Sequence, residues 1–245
     1  MTTEAPDRPT TDLLLVAGLW LRADTWDATL DAVAAHPAAT GVHASAVRLP
    51  GVDDEAVDVT LDDQLAAVLA DVDAAARAGH RVVVVGHSAA ATLAWLAADR
   101  RPDAVARVVL VGGFPSDDGA AYAAFFDVVD GVMAFPGWEP FAGPDSDDLD
   151  EATRERVAAA MVPVPGGVAT GAVAYTDTAR GRVPVTLVCP EFSPDEARGF
   201  VTGGDVPELA VADVTYVDLP TGHWPQVSAP GVLAGALVEA ATAGR

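Results

Sequence analysis

Hydrophobic positions along the chain fall into two alternating kinds of run. The first kind is short and nearly continuous: LLLVAG (13–18), VHASAVRLPG (42–51), RVVVVGH (81–87), ARVVLVGG (106–113), VPVTLVCP (183–190) and DVTYVDLP (213–220). Runs of this length, closed by Gly or Pro, read as buried strands. The second kind repeats at helical spacing. Trp26, Leu30 and Val33 share one face of DTWDATLDAVAAH, and Leu61, Leu65, Val68, Leu69 and Val72 form a stripe between an N-cap at Thr60 and a stop at Gly79. SAAATLAWLAADR (88–100) forms a helix after the third strand, and a last helix starts at Ser228-Ala229-Pro230, with Ser228 as N-cap, and carries Leu233 and Leu237. Strands that are apolar on both faces and separated by helices predict an α/β fold built on a six-stranded, mainly parallel sheet covered on both sides.

One interval breaks this alternation. Residues 114–180 hold no convincing strand but are rich in aromatics, including Phe114, Tyr122, Phe125, Phe126, Phe135, Trp138 and Phe141, with helical stretches expected near 119–133 and 148–161. An aromatic insertion at the C-terminal edge of a parallel sheet is placed to wall off a ligand site. The expected division is therefore a core of 12–113 and 181–245, a helical cap over 114–180, and a flexible tail over 1–11. The acidic run DSDDLDE (145–151) does not match a calcium loop. It lacks glycine at the sixth position and has Arg156 where a bidentate glutamate belongs. Acids at the positive end of a helix dipole explain it as a solvated helix start.

Composition removes several function classes. The chain has 245 residues, a formal net charge of −22 and no lysine among its 14 basic residues. Without lysine there is neither a P-loop nor Schiff-base chemistry, and no Gly-x-Gly-x-x-Gly follows a strand. The negative charge disfavours nucleic acid and anionic membranes as partners. A single cysteine, Cys189, excludes an internal disulfide and a cysteine-built metal site. The N-terminus lacks the basic-then-apolar order of a signal peptide, so a cytoplasmic protein acting on a small molecule, with no metal or cofactor, is expected.

The chemistry concentrates at VVVVGHSAA (82–90). A strand that ends on Gly-x-Ser and turns sharply into a helix exposes the serine hydroxyl, provided its neighbours are small. Gly86 supplies one small side and Ala90 the other, where the usual pattern has glycine. Ser88 needs a base to take its proton. His36 and His43 flank a loop, His80 sits in the turn before a strand, and His87 points away from its neighbour. His223, in LPTGHWPQVSAP after the sixth strand, lies on the same sheet edge as Ser88.

Together these motifs resemble the α/β-hydrolase superfamily, and within it the compact branch of plant methylesterases and hydroxynitrile lyases. The resemblance spans about residues 12–240 and rests on the order of LLLVAGLWLRADTWD, LPG, VVVVGHSAA, VVLVGGFPSD, VTLVCPEF and GHWPQVSAP. It implies Ser88 as nucleophile, His223 as general base, and the backbone N–H groups of Leu19 and Ala89 as the oxyanion hole. Trp20, His87, Phe114, Trp138 and Trp224 are assigned to substrate binding. The oxyanion strand ends in Ala17-Gly18 where the family has His-Gly. At the acid position after the fifth strand the aligned residue is Phe192; Glu191, Asp195, Asp117 and Asp118 are the carboxylates within reach, and Glu191 is the choice. The reading is a hydrolase of small, fairly apolar esters, thioesters or lactones. The alternatives are a lyase or cyclase using the same Ser–His pair, or a non-catalytic ligand-binding homologue.

Overall fold

The six short runs become six parallel strands. The computed structural model describes residues 10–54, 56–123 and 125–244. In chain order the elements are β1 (Thr11–Val16), α1 (Asp27–Ala35), β2 (Val42–Ala46), α2 (Leu61–Arg77), β3 (Arg81–His87), α3 (Ala90–Arg100), β4 (Val105–Val111), β5 (Val132–Met133), α4 (Glu151–Ala160), β6 (Val164–Pro165), α5 (Gly166–Ala169), β7 (Val185–Cys189), α6 (Pro194–Gly203), β8 (Val214–Asp218), α7 (Pro225–Ser228) and α8 (Pro230–Thr242). The main sheet has the order β2-β1-β3-β4-β7-β8, all neighbours parallel.

Strand alternation sorts the core onto two faces. Leu14, Val16, Val82 and Val84 pack with α2 and α3, while Leu13, Leu15, Val83 and Val85 pack with Trp26, Leu233 and Leu237 on the other side. Central strands buried on both faces are what the unbroken valine runs encode. Thr60 does cap α2, in a capping box closed by Asp63.

Three boundaries differ from the sequence reading. Residues 1–9 of the expected tail lie outside the described residues, but Thr11 already opens β1 and is fully buried. Ser228 ends α7 instead of capping α8, whose N-cap is Ala229. The stretch 119–133 contains no helix among its described residues. Left-handed turns at Gly119, Asp130 and Gly131 interrupt it, and the N–H groups of Tyr122 and Ala123 donate to the carbonyls of Gly171 and Ala169 rather than along a helix. The end of the segment instead pairs with residues 164–165 through the antiparallel pair β5–β6. The expected helix near 148–161 is present as α4, capped by the Asp150 carboxylate.

Candidate active site

The turn between β3 and α3 sets the geometry. Ser88 has φ of +54°, a left-handed conformation that costs roughly 1–3 kcal/mol for a residue with a side chain. The Ser88 N–H donates to the Val111 carbonyl at 2.8 Å, tying the turn to the end of β4. Three glycines make room. A Cβ on Gly86 would strike the Ala90 carbonyl, one on Gly113 would lie 2.9 Å from Ser88 Cα, and one on Gly18 would lie 3.0 Å from Ser88 Cβ. Ala90 itself is fully buried in the core on the α3 side. A serine serving as N-cap would hold an extended backbone; the positive φ shows a different turn, one that lifts the hydroxyl off the strand.

His223 reaches this hydroxyl from the loop after β8. Its Nε2 lies 2.9 Å from Ser88 Oγ, and its Nδ1 lies 2.6 Å from Glu191 Oε1. With the proton on Nδ1 donated to the carboxylate, Nε2 is left to accept the serine proton. Glu191 Oε2 is buried and has no hydrogen-bond partner among the described residues. The other candidate acids are elsewhere. Asp195 pairs with Arg198 at 2.6 Å on the surface, Asp118 accepts the Tyr175 N–H, and Asp117 is exposed. Phe192, at the aligned position, stacks on Phe114 with ring centroids 5.3 Å apart.

The histidine loop is held from two sides. His87 is 1% exposed, and its Nε2 donates to the His223 carbonyl at 2.7 Å. Burial, with the nearby His223 contributing, lowers its pKa to about 3, so it stays a neutral donor. From the insertion, the Asp145 carbonyl accepts the His223 N–H at 2.8 Å, and the Asp148 carboxylate accepts the Gly222 N–H at 2.7 Å. Burial raises the pKa of the Asp145 side chain; His223 opposes that shift and Glu191 adds to it. The acidic run is therefore more than a helix start. Asp150 caps α4, while the Asp148 carboxylate and the Asp145 main-chain carbonyl hold the loop that carries His223.

Above Ser88 and His223 lies a cavity of about 210 Å³ lined by Leu19, Trp20, His87, Ser88, Phe125, Phe126, Phe141, His223 and Trp224. The N–H groups of Leu19 and Ala89 donate to no acceptor among the described residues. Of the residues assigned to substrate binding, Trp20, His87 and Trp224 line this space; Phe114 and Trp138 do not. Phe114 is taken up by Phe192 and Phe200. Trp138 sits one layer out, edge-on to Trp224 at 5.0 Å, its indole N–H on the Arg154 carbonyl. Phe125, Phe126 and Phe141 take those places. The aromatic bias of the insertion was the signal for them, but not for which rings face inward.

Fold and site together define a class. The description "Alpha/beta hydrolase family" matches residues 13–236, and the chain belongs to that family. Among solved structures it is similar to an extracellular alpha/beta-hydrolase from a Paenibacillus species, described as sharing structural and functional homology with tobacco salicylic acid binding protein 2. That likeness has a TM-score of 0.75 and 18% identity, covering 95% of this chain and 99% of the other. A methylesterase from Arabidopsis gives 0.67 and 16%, covering 94% and 98%. Tomato methylketone synthase I complexed with 2-tridecanone gives 0.67 and 16%, covering 94% and 97%. At these identities the likeness is one of fold. No curated protein sequence matches the chain.

Proposed function

We propose that the protein is a serine hydrolase of small, uncharged, apolar carboxylic esters, thioesters or lactones. The observation that carries this reading is the continuous Ser88–His223–Glu191 chain, 2.9 Å and 2.6 Å at its two links. Ser88 Oγ attacks the substrate carbonyl carbon while His223 Nε2 takes its proton, and Glu191 holds the imidazole tautomer and offsets the imidazolium charge. The oxyanion accepts from the Leu19 and Ala89 N–H groups, each donor worth about 3 kcal/mol of transition-state stabilisation. Collapse of the intermediate expels the alcohol or thiol with the proton from His223. Water then repeats the sequence on the acyl-serine, so no metal or cofactor enters a step.

Substrate class follows from the cavity. Its wall is aliphatic and aromatic apart from Ser88 and the two histidines, and at about 210 Å³ it falls below the ~300–1,000 Å³ typical of sites for drug-sized ligands. The net charge of −22 supports a protein that avoids nucleic acid and anionic membranes; among the described residues no helix is long and apolar enough to cross a membrane. Release of p-nitrophenol from short-chain esters, and labelling by a fluorophosphonate that Ser88→Ala abolishes, test the reading. Folded protein that takes no label would overturn it.

A second reading keeps the Ser–His pair as acid and base in a lyase or ring-forming step without an acyl-enzyme. The likeness to methylketone synthase I favours weighing it. It predicts turnover that depends on His223 with no trapped serine adduct. A non-catalytic binding role, which Phe192 at the aligned acid position would favour, loses that support because Glu191 stands beside His223.

A further inference from the structure

We propose that Asp12, His43 and His80 form a binding site for a divalent transition-metal ion, with Zn²⁺ the best-matched probe. The site lies at the end of the sheet opposite Ser88. Asp12 in β1 pairs in register with His43 in β2, and Arg81, which opens β3, pairs with Thr11. His80 therefore stands just ahead of β3, and the three side chains come from β1, from β2 and from the residue that leads into β3, three neighbours in the sheet. Strand alternation puts them on the face that α2 covers, where Asp12 and His80 share a groove with Leu14 and Ser45.

The geometry is that of a ligand set rather than of one ion pair. His80 Nδ1 lies 3.0 Å and 3.1 Å from the two Asp12 oxygens, and His43 Nδ1 approaches Asp12 Oδ1 at 3.8 Å. A single carboxylate–imidazole pair needs one histidine, yet two rings converge on the same oxygen. Donor atoms from all three residues lie within 4.8 Å of one another. Tetrahedral Zn²⁺ with bonds of about 2.0–2.1 Å holds its ligand atoms about 3.3 Å apart. Closing the remaining gap requires only His43 to move, and its side chain is 71% exposed. Two imidazoles and a carboxylate suit Zn²⁺, Co²⁺, Ni²⁺ or Cu²⁺ better than Mg²⁺ or Ca²⁺, which prefer all-oxygen shells.

The surroundings favour a cation. The chain carries a net charge of −22, and the His80 N–H donates to Ala75 at the carbonyl end of α2, where the helix dipole is negative. Of the arginines nearby, Arg81 belongs to the other face, its guanidinium donating to the Ala241 and Ala243 carbonyls. Arg48 lines the same groove and donates to the Asp53 carbonyl. A groove of about 700 Å³ beside the cluster gives a hydrated ion access. Bound there, the ion would fasten the edge strand β2 to β1 and β3.

The test is calorimetric titration of the full chain, stripped with chelator, with Zn²⁺ at neutral pH, joined by visible absorption on Co²⁺ loading. One Zn²⁺ should bind per chain, and Co²⁺ should show the intense visible bands of a four-coordinate site. His43→Gln removes an exposed ligand without touching the core. It should weaken binding by at least the ~10–100-fold that losing even an outer-shell partner costs. His80→Gln should do the same, whereas His36→Gln and His223→Gln should leave the affinity unchanged. The proposal is overturned by wild-type protein that binds no Zn²⁺ up to millimolar concentration. It is equally overturned by binding that survives His43→Gln and His80→Gln, or that depends on His223.

Discussion

In the proposed mechanism, Glu191, 2.6 Å from His223 Nδ1, sets the tautomer of the Ser88–His223 pair. Glu191→Gln would still fill the space but would turn an amide toward His223 Nδ1. The expected result is a kcat lower by about 10³–10⁴-fold with fluorophosphonate labelling slowed in parallel, while Glu191→Asp retains part of the rate. Ser88→Ala should lower kcat by about 10⁵-fold or more, read from steady-state ester hydrolysis. His87 gives a pH effect of definite sign. Its pKa falls from an ordinary 6.5 to about 3 on folding, so between those values the unfolded chain binds a proton that the native state refuses. Stability should therefore fall as pH drops through this window, by up to about 1.4 kcal/mol per pH unit from this one group. Urea unfolding between about pH 6 and pH 4 should approach that slope, reduced by about one proton in His87→Asn. At this scale Ser88 and His223 were legible because each sits in a local pattern of sequence. Glu191 was one of four acids, because a single residue of loop register decides whether it or Phe192 faces the histidine.

At the scale of elements, the turn between β3 and α3 shows where small side chains are obligatory. The sequence drew attention to Ala90 as the departure from pattern, yet its methyl is packed in the core. The tight positions are Gly86 and Gly113, where a Cβ would meet backbone of the turn itself. Gly86→Ala should yield insoluble or unfolded protein, whereas Ala90→Gly should fold and lose about 1 kcal/mol, as measured by thermal and urea melts. Gly113 escaped notice because its constraint comes from Ser88 in the β3–α3 turn, a neighbour in space and not in sequence. The sheet and the main helices were legible from periodicity, since their burial repeats every two or 3.6 residues. The stretch 119–133 was not. Its apolar residues satisfy the aromatic lining of a cavity and a backbone pairing with residues 169–173, and neither demand leaves a helical period.

For the whole molecule, the question is how the insertion is fastened to the core. One anchor is Asp99, buried in α3, whose carboxylate accepts the N–H groups of Thr176 and Asp177 at 2.9 Å and pairs with Arg180 and Arg100. Arg180 also reaches Glu208 at 2.9 Å. Asp99→Ala would strand these donors and leave Arg180 with one partner fewer, at a cost of about 3–5 kcal/mol, visible as a lower urea midpoint. A second anchor is the contact of Asp145 and Asp148 with the histidine loop. Gly222→Ala, whose methyl would collide with the Asp148 side chain and the Asp145 backbone, should displace that loop. A shift near 1 Å costs about 10²-fold in rate, to be seen in kcat with the fold intact by circular dichroism. No periodicity could have announced this contact, because it joins two irregular segments. Its consequence concerns how such an enzyme can change. In the proposed mechanism, the segment that shapes the pocket with Phe125, Phe126 and Phe141 also holds the His223 loop, through the Asp148 carboxylate and the Asp145 main-chain carbonyl, so selectivity and turnover are inherited as one module. Grafting an insertion from a relative to obtain a new pocket would forfeit rate unless both bonds to the loop were rebuilt with it, and directed evolution of this protein should recover compensating changes at residues 148 and 222 alongside those in the pocket.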